Sequence, residues 1–180
     1  MSPPDRYPEG RLSPANTMWR AEYAGLAPQL VAVLGDAWRV EHVGSTSVPG
    51  LLAKPVIDVA LGAPVDGDSD GASERLAEAG WTSLVPVGDH QATFLIRDGV
   101  RAAIGHVFTH AQWPEAHVRL FAQWLREHAD DRDRYARLKQ SLVAQQIWGE
   151  EYTSAKGEFV LHVVNQARRQ RGLPLLRGPL

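Results

Sequence analysis

Apolar residues recur every three or four positions between residues 15 and 35. Trp19, Tyr23, Leu26, Leu30, Val33 and Leu34 carry that period, which places them on one stripe of an amphipathic helix. The pattern then tightens. Trp38, Val40 and Val43 form one β-rich run, and Val56, Ile57, Val59 and Leu61 form a second. Short β-branched runs of this kind suit buried strands. The Gly/Asp/Ser-rich stretch 66–73 predicts a surface loop. Leu76 and Ala79 predict a short helix ended by Gly80. Residues 81–87, 92–97 and 101–108 read as strands, and Asp98-Gly99 between the last two is a hairpin turn signal.

The C-terminal third returns to helical spacing. Val118, Phe121 and Leu125, with Trp124 beside them, mark one helix. Tyr135, Leu138 and Leu142 mark a second, and Tyr152, Ala155, Phe159 and Val163 a third. Asp130 is the expected N-cap of the second, because it precedes Asp133 by three residues and starts an acidic first turn. Gly172 and Pro174 are the natural stop of the third. The expected organisation is a loose arm at 1–13, one α/β (α+β) domain over 14–172, and a tail at 173–180. There is no internal repeat and no low-complexity tract.

Composition narrows the function classes. The 180 residues fit one domain with a real core, at 44% hydrophobic and 22% charged. A net charge of −2 offers no global attraction to nucleic acid or to a membrane surface. The apolar runs are too short to span a bilayer. MSPPDRYPEG carries no hydrophobic signal region, so a cytoplasmic location is the expectation. With zero cysteines, disulfides and thiolate zinc sites are excluded. The six tryptophans lie mostly at core-facing positions, where packing is the expected role.

The candidate chemistry is concentrated in HVGSTSVPGLLAKPVID, residues 42–58. Gly44 permits a close backbone approach, and Ser45, Thr46 and Ser47 add hydroxyls beside exposed N–H groups. That combination suits an anion such as a phosphate. Asp58 sits inside an apolar strand. A buried carboxylate is costly alone, so it needs a metal, a lysine or a ligand as partner. Lys54 lies in the loop just before it, placed to contact a phosphate or Asp58, or else to stay solvated. Lys139 follows Tyr135 by four residues, and Lys156 follows Tyr152 by four. Each sits at the edge of an apolar helical face, from which it either reaches inward or snorkels to the surface.

His106 lies on a β-rich run where it can face Asp58 across the sheet. It reads as a general base, a metal ligand or a phosphate contact, or as a core histidine bonded to backbone. His42, just before the Gly-Ser turn, has the same two readings. His90, His110, His117, His128 and His162 show no metal-ligand spacing in sequence. Arg101 and Arg126 are weaker candidates.

The chain resembles the GrpB family of small nucleotidyltransferase-fold proteins. The resemblance rests on His42, Gly44-Ser45-Thr46-Ser47, Pro49-Gly50 and Lys54-Pro55 through Asp58. It resumes at His106-Val107-Phe108, Leu138-Lys139, and Tyr152 through Lys156 and Phe159. It implies a mixed sheet flanked and covered by helices. It also implies a nucleoside triphosphate held by His42, Gly44, Ser45, Thr46, Lys54, Lys139 and Lys156, with Asp58 on Mg²⁺ and His106 beside it in catalysis. Transfer of a nucleotidyl group to a small-molecule acceptor, or activation of that acceptor, would follow. Two departures stand out. Ala60 occupies the place of the second acid that such enzymes usually carry, and Ala122-Gln123 stands where the family often has Arg-Asp. Two alternatives therefore stay open: a non-catalytic nucleotide- or metabolite-binding module, and a biosynthetic condensing enzyme that reuses the pocket. The sequence leaves the oligomeric state open.

Overall fold

The computed structural model describes residues 12–67 and 69–178. The long apolar stripe becomes α1 (Met18–Leu34), stopped at Gly35, whose φ of 99° suits glycine. The two β-rich runs become β1 (Arg39–Val43) and β2 (Ile57–Gly62), adjacent and antiparallel. They are followed by α2 (Ser69–Glu78), β3 (Val85–Val87), β4 (His90–Arg97) and β5 (Val100–Phe108). The five strands form one mixed sheet in the order β1-β2-β5-β4-β3, with β5 parallel to β2 and antiparallel to β4. Asp98 and Gly99, at φ 51° and 76°, make the predicted tight hairpin between β4 and β5. The chain ends in α3 (His117–Glu127), α4 (Ala129–Ala144), α5 (Gly149–Ala155) and α6 (Gly157–Gln170).

Strand alternation divides the sheet's side chains between two faces. One face presents Val59, Leu61, Ala103 and Val107 to α1 and α2, where Trp19, Leu30, Leu34 and Leu76 complete a core. The other presents Val43, Ala60 and Phe108 to Trp113, Ala116 and Ala122. Beyond them, Leu120, Leu125, Tyr135, Val163 and Val164 join α3, α4 and α6 into a second core. The sheet therefore has helices on both sides.

Several local expectations are corrected. The stretch 66–73 is not all loop, because α2 starts at Ser69. Ala72 and Leu76, four residues apart, are fully buried on the α1 side, and that packing outweighs the loop-like composition. The third C-terminal helix is broken at Lys156 into α5 and α6, beside Gly157, a poor helix former. The N-cap position of α4 belongs to His128, and Asp130 falls within the first turn. Of the expected strand 81–87, only 85–87 pairs continuously, while Trp81 makes an isolated bridge to Leu95.

Residues 1–11 of the expected arm lie outside the described residues. Ser13 is pinned to Ala53 by two backbone hydrogen bonds of 2.8 and 3.0 Å. The tail folds back on α6 as far as it is described. Arg168 Nε donates to the Pro174 carbonyl at 2.6 Å, and Asn165 and Leu176 exchange a pair of hydrogen bonds. Residues 179–180 lie outside the described residues. No described helix is long and apolar enough to cross a membrane.

Candidate functional site

After β1 the chain turns sharply at Gly44 (φ 66°, ψ −173°) into a short 3₁₀ turn, Ser45–Ser47. The Ser47 hydroxyl donates to the Gly44 carbonyl at 2.8 Å, and Arg126 braces the turn from α3. Its guanidinium donates to the His42 carbonyl (2.9 Å) and to the Ser47 hydroxyl (2.8 Å). Glycine is required at position 44 for a second reason. A Cβ there would fall inside the Asp58 carboxylate. The missing side chain is what lets the β2 carboxylate lie against the turn.

Asp58 and His106 share a sheet face and meet across β2 and β5, with His106 Nε2 3.2 Å from Asp58 Oδ1. They open onto a cleft of about 290 Å³, bounded by the turn, α3, α4 and the α5–α6 junction. Lysines enter it from three directions. Lys139 of α4 is 2% exposed and donates to the Ser45 hydroxyl at 3.1 Å and to the Leu52 carbonyl. Lys54 lies 4.2 Å from the ring centres of both Trp148 and Tyr152, a geometry in which the π faces stabilise the ammonium. Lys156, exposed to the cleft by the break between α5 and α6, lies 4.4 Å from the Tyr152 ring.

The lysines are electrostatically unsettled. Burial, and then repulsion from Lys156, pushes the Lys54 and Lys139 ammoniums down to about 7. Burial pushes Lys156 down to about 8, against the pull of Asp58. One carboxylate faces three ammoniums. Burial also raises the Tyr135 and Tyr152 hydroxyls, so both stay protonated donors at neutral pH.

The structure thus brings Gly44, Ser45, Thr46, Lys54, Asp58, His106, Lys139 and Lys156 to one cleft. It does not bring His42 there. His42 lies on the opposite sheet face, stacked on Tyr23 of α1 at 4.5 Å, and reaches the turn through Thr46 Oγ1 at 3.0 Å. Burial lowers its pKa to about 4, so the ring is neutral. The place of the second acid is filled by Ala60, fully buried. The carboxylate beside it in register is Glu41 on β1, and Arg119 takes that at 2.6 Å.

Sequence reading missed four participants. Tyr135 shows in the sequence only as a helix-face residue, and Tyr152 only as that and as part of the family resemblance, although each precedes a cleft lysine by four positions. His90 and His117 gave no signal, being 27 positions apart in different elements. His90 Nε2 lies 3.0 Å from His106 Nδ1, and His90 Nδ1 lies 3.2 Å from the Asp89 carboxylate. His117 Nδ1 lies 3.6 Å from the same Asp89 oxygen. Burial lowers both imidazoles, His117 to about 4, which leaves them neutral.

A profile of the family described as GrpB protein matches residues 10–166. A UPF0157 protein of Halalkalibacterium halodurans is 34% identical over 152 residues, which cover 83% of this chain and 77% of that protein. The crystal structure of the conserved protein GrpB from Enterococcus faecalis matches with a TM-score of 0.78 at 21% identity, over 90% of this chain and 99% of that one. Cid1 in complex with its short product ApU matches at a TM-score of 0.50 and 10% identity, over 73% of this chain and 42% of Cid1. At such identities structural likeness speaks to the fold alone. The profile match over most of the chain and the identity to the sequence relatives show that the chain belongs to the GrpB family, on a nucleotidyltransferase-like fold.

Proposed function

We propose that the cleft binds a nucleoside triphosphate with Mg²⁺ and transfers a nucleotidyl group to a small-molecule acceptor, or activates that acceptor. The observation that carries this reading is the charge imbalance. Lys54, Lys139 and Lys156 converge on a cleft holding one carboxylate, at a cost in desolvation and mutual repulsion that a polyanion would relieve. Ser45, tied to Lys139, presents its hydroxyl beside the turn's backbone. Lys156 and Gly157 place the start of α6 at the same cleft, where its N–H groups favour an anion.

The donor set fits one Mg²⁺ and not two. Asp58 is the sole carboxylate lining the cleft among the described residues, Ala60 offers no oxygen, and Glu41 is bound to Arg119. Mg²⁺ is commonly held by one or two carboxylates plus phosphate oxygens and waters. Asp58 would hold it here, and when bound it would neutralise charge on the transferring phosphoryl group. His106, in contact with Asp58, is the acid/base candidate, and taking a proton from an acceptor would require its Asp58 contact to open. The absence of a second acid favours the alternative, a binding module without turnover.

The two readings separate in one set of experiments. Calorimetry with ATP, with and without Mg²⁺, is expected to show binding that Lys139→Ala weakens by about 1.5–3 kcal/mol, the worth of a charged hydrogen bond. Asp58→Asn keeps an oxygen for His106 and should fold normally, while losing the Mg²⁺ dependence. Unchanged ATP affinity in Lys139→Ala, Lys54→Ala and Lys156→Ala would remove the nucleotide from the proposal. ATP binding without product from any acceptor screened would leave the binding module.

A further inference from the structure

At the His106 end of the cleft, residues from two distant segments form a constellation that the nucleotide reading does not use. Asp89 precedes β4, His90 opens it, and His117 opens α3. One donor atom from each lies within 4.8 Å of the others. The Asp89 oxygen stands 3.2 Å from His90 Nδ1 and 3.6 Å from His117 Nδ1. Donors bound to one tetrahedral ion at 2.0–2.2 Å stand about 3.3–3.6 Å apart. The two Asp89 edges lie at or beside that range, and the two imidazole nitrogens, within 4.8 Å of each other, would draw in around an ion.

A second observation is independent of these spacings. His117 is only 8% exposed, yet its Nδ1 is buried without a hydrogen bond among the described residues. A buried ring nitrogen with no partner is costly. This one is aimed at the Asp89 carboxylate, too distant for a hydrogen bond and well placed for a shared cation. The rings are also fixed in place. His90 stacks on Phe108 at 4.7 Å, and His117 packs edge-on against the same ring at 5.9 Å. Gln112 donates to the Asp89 backbone carbonyl, which steadies the loop carrying the carboxylate.

We propose that Asp89, His90 and His117 form a binding site for a transition-metal dication of the zinc class, separate from the Asp58 position. Two imidazoles and one carboxylate suit zinc, cobalt or nickel and are poor ligands for Mg²⁺. Three protein ligands with Asp89 largely exposed leave a coordination position open toward solvent.

The site bears on Asp58 through hydrogen bonds. His90 Nε2 meets His106 Nδ1, and His106 Nε2 meets Asp58. The contacts Asp58–His106, His106–His90 and His90–Asp89 form one continuous chain of hydrogen-bonding groups. A cation on His90 Nδ1 takes over the contact with Asp89 and leaves Nε2 as the nitrogen that carries the His90 proton. His90 then donates from Nε2 to His106, and His106 donates from Nε2 to Asp58. The dication is thus a positioning element that sets which nitrogen of His106 carries its proton.

The test uses chelator-treated full-length protein, titrated with Zn²⁺ by calorimetry and with Co²⁺ by visible absorption. One ion per chain is expected, with the strong visible bands of low-coordinate cobalt and no displacement by excess Mg²⁺. Asp89→Ala, at an exposed position that does not threaten folding, and His117→Asn should each weaken Zn²⁺ binding by at least about tenfold. Asp58→Asn should still bind one Zn²⁺ per chain. No stoichiometric Zn²⁺ at micromolar concentrations would overturn the proposal. So would wild-type affinity in Asp89→Ala, which would place the ion on other histidines.

Discussion

Under α1 and α2 the sheet presents Val59, Leu61, Ala103 and Val107, none more than 5% exposed, and they pack on Trp19, Leu30 and Leu76. One residue along the same strands, the opposite face presents Asp58 and His106 to a cleft where Lys139, 2% exposed, competes with two other ammoniums. The first face is organised for burial, which contributes about 25 cal/mol per Å² of apolar surface. The second spends part of that gain on charges held out of water. Under the proposed function, that charge is what a bound polyanion would compensate. The two faces should therefore respond oppositely to mutation and to pH.

The largest expected effect is on the apolar face. Leu61→Ala should cost about 2–5 kcal/mol, seen as a fall in the urea midpoint, because it leaves a cavity in a close-packed core. Polyphosphate affinity of the folded protein should not move. A matching loss of affinity would mean that the two faces are coupled through β2.

Gly44→Ala tests the join between the faces. The backbone there is a conformation essentially confined to glycine, and a Cβ would meet the Asp58 carboxylate. A cost of about 1–3 kcal/mol in stability is expected, together with loss of Mg²⁺-dependent ATP binding. Normal affinity measured by calorimetry would show that the turn and Asp58 do not act together.

The subtlest effect is the pH profile. Lys54 and Lys139 titrate near 7 and Lys156 near 8 when folded, and all three have higher values when unfolded. Between about pH 7 and 10 the unfolded chain binds more protons at these sites, so their contribution makes stability rise with pH. Bound polyphosphate favours the ammonium forms, so its affinity should fall over the same range. Melting curves across that range, with and without tripolyphosphate, should converge toward high pH. Parallel curves would place the lysines outside the binding surface.

Much of the scaffold was legible in the chain. Trp19 through Leu34 carried an unbroken helical period, and Asp98-Gly99 lay between two β-rich runs, so α1 and the β4–β5 hairpin followed from local preference. Elements whose local signal opposed their packing were misread. The start of α2 looked like a loop until Ala72 and Leu76 found α1. The C-terminal helix looked continuous until its break set Lys156 toward the cleft. Within the site, the turn and Asp58 stood out because glycine, hydroxyls and a carboxylate in an apolar strand are locally anomalous. Lys139 was readable only as a lysine at the edge of an apolar stripe.

The sequence by itself determined β1, β2, the β4–β5 hairpin, the Gly44 turn and the position of Asp58 within β2, because side-chain period and backbone preference act over a few residues. Only the tertiary structure decided that His42 points to α1 and not to the cleft, since one step along a strand reverses the face. It alone brought Lys54, Lys139 and Lys156 around Asp58, and set Asp89, His90 and His117 within reach of one ion. Those meetings depend on strand register and helix docking, which are settled by the burial of apolar faces far from the charges that they bring together.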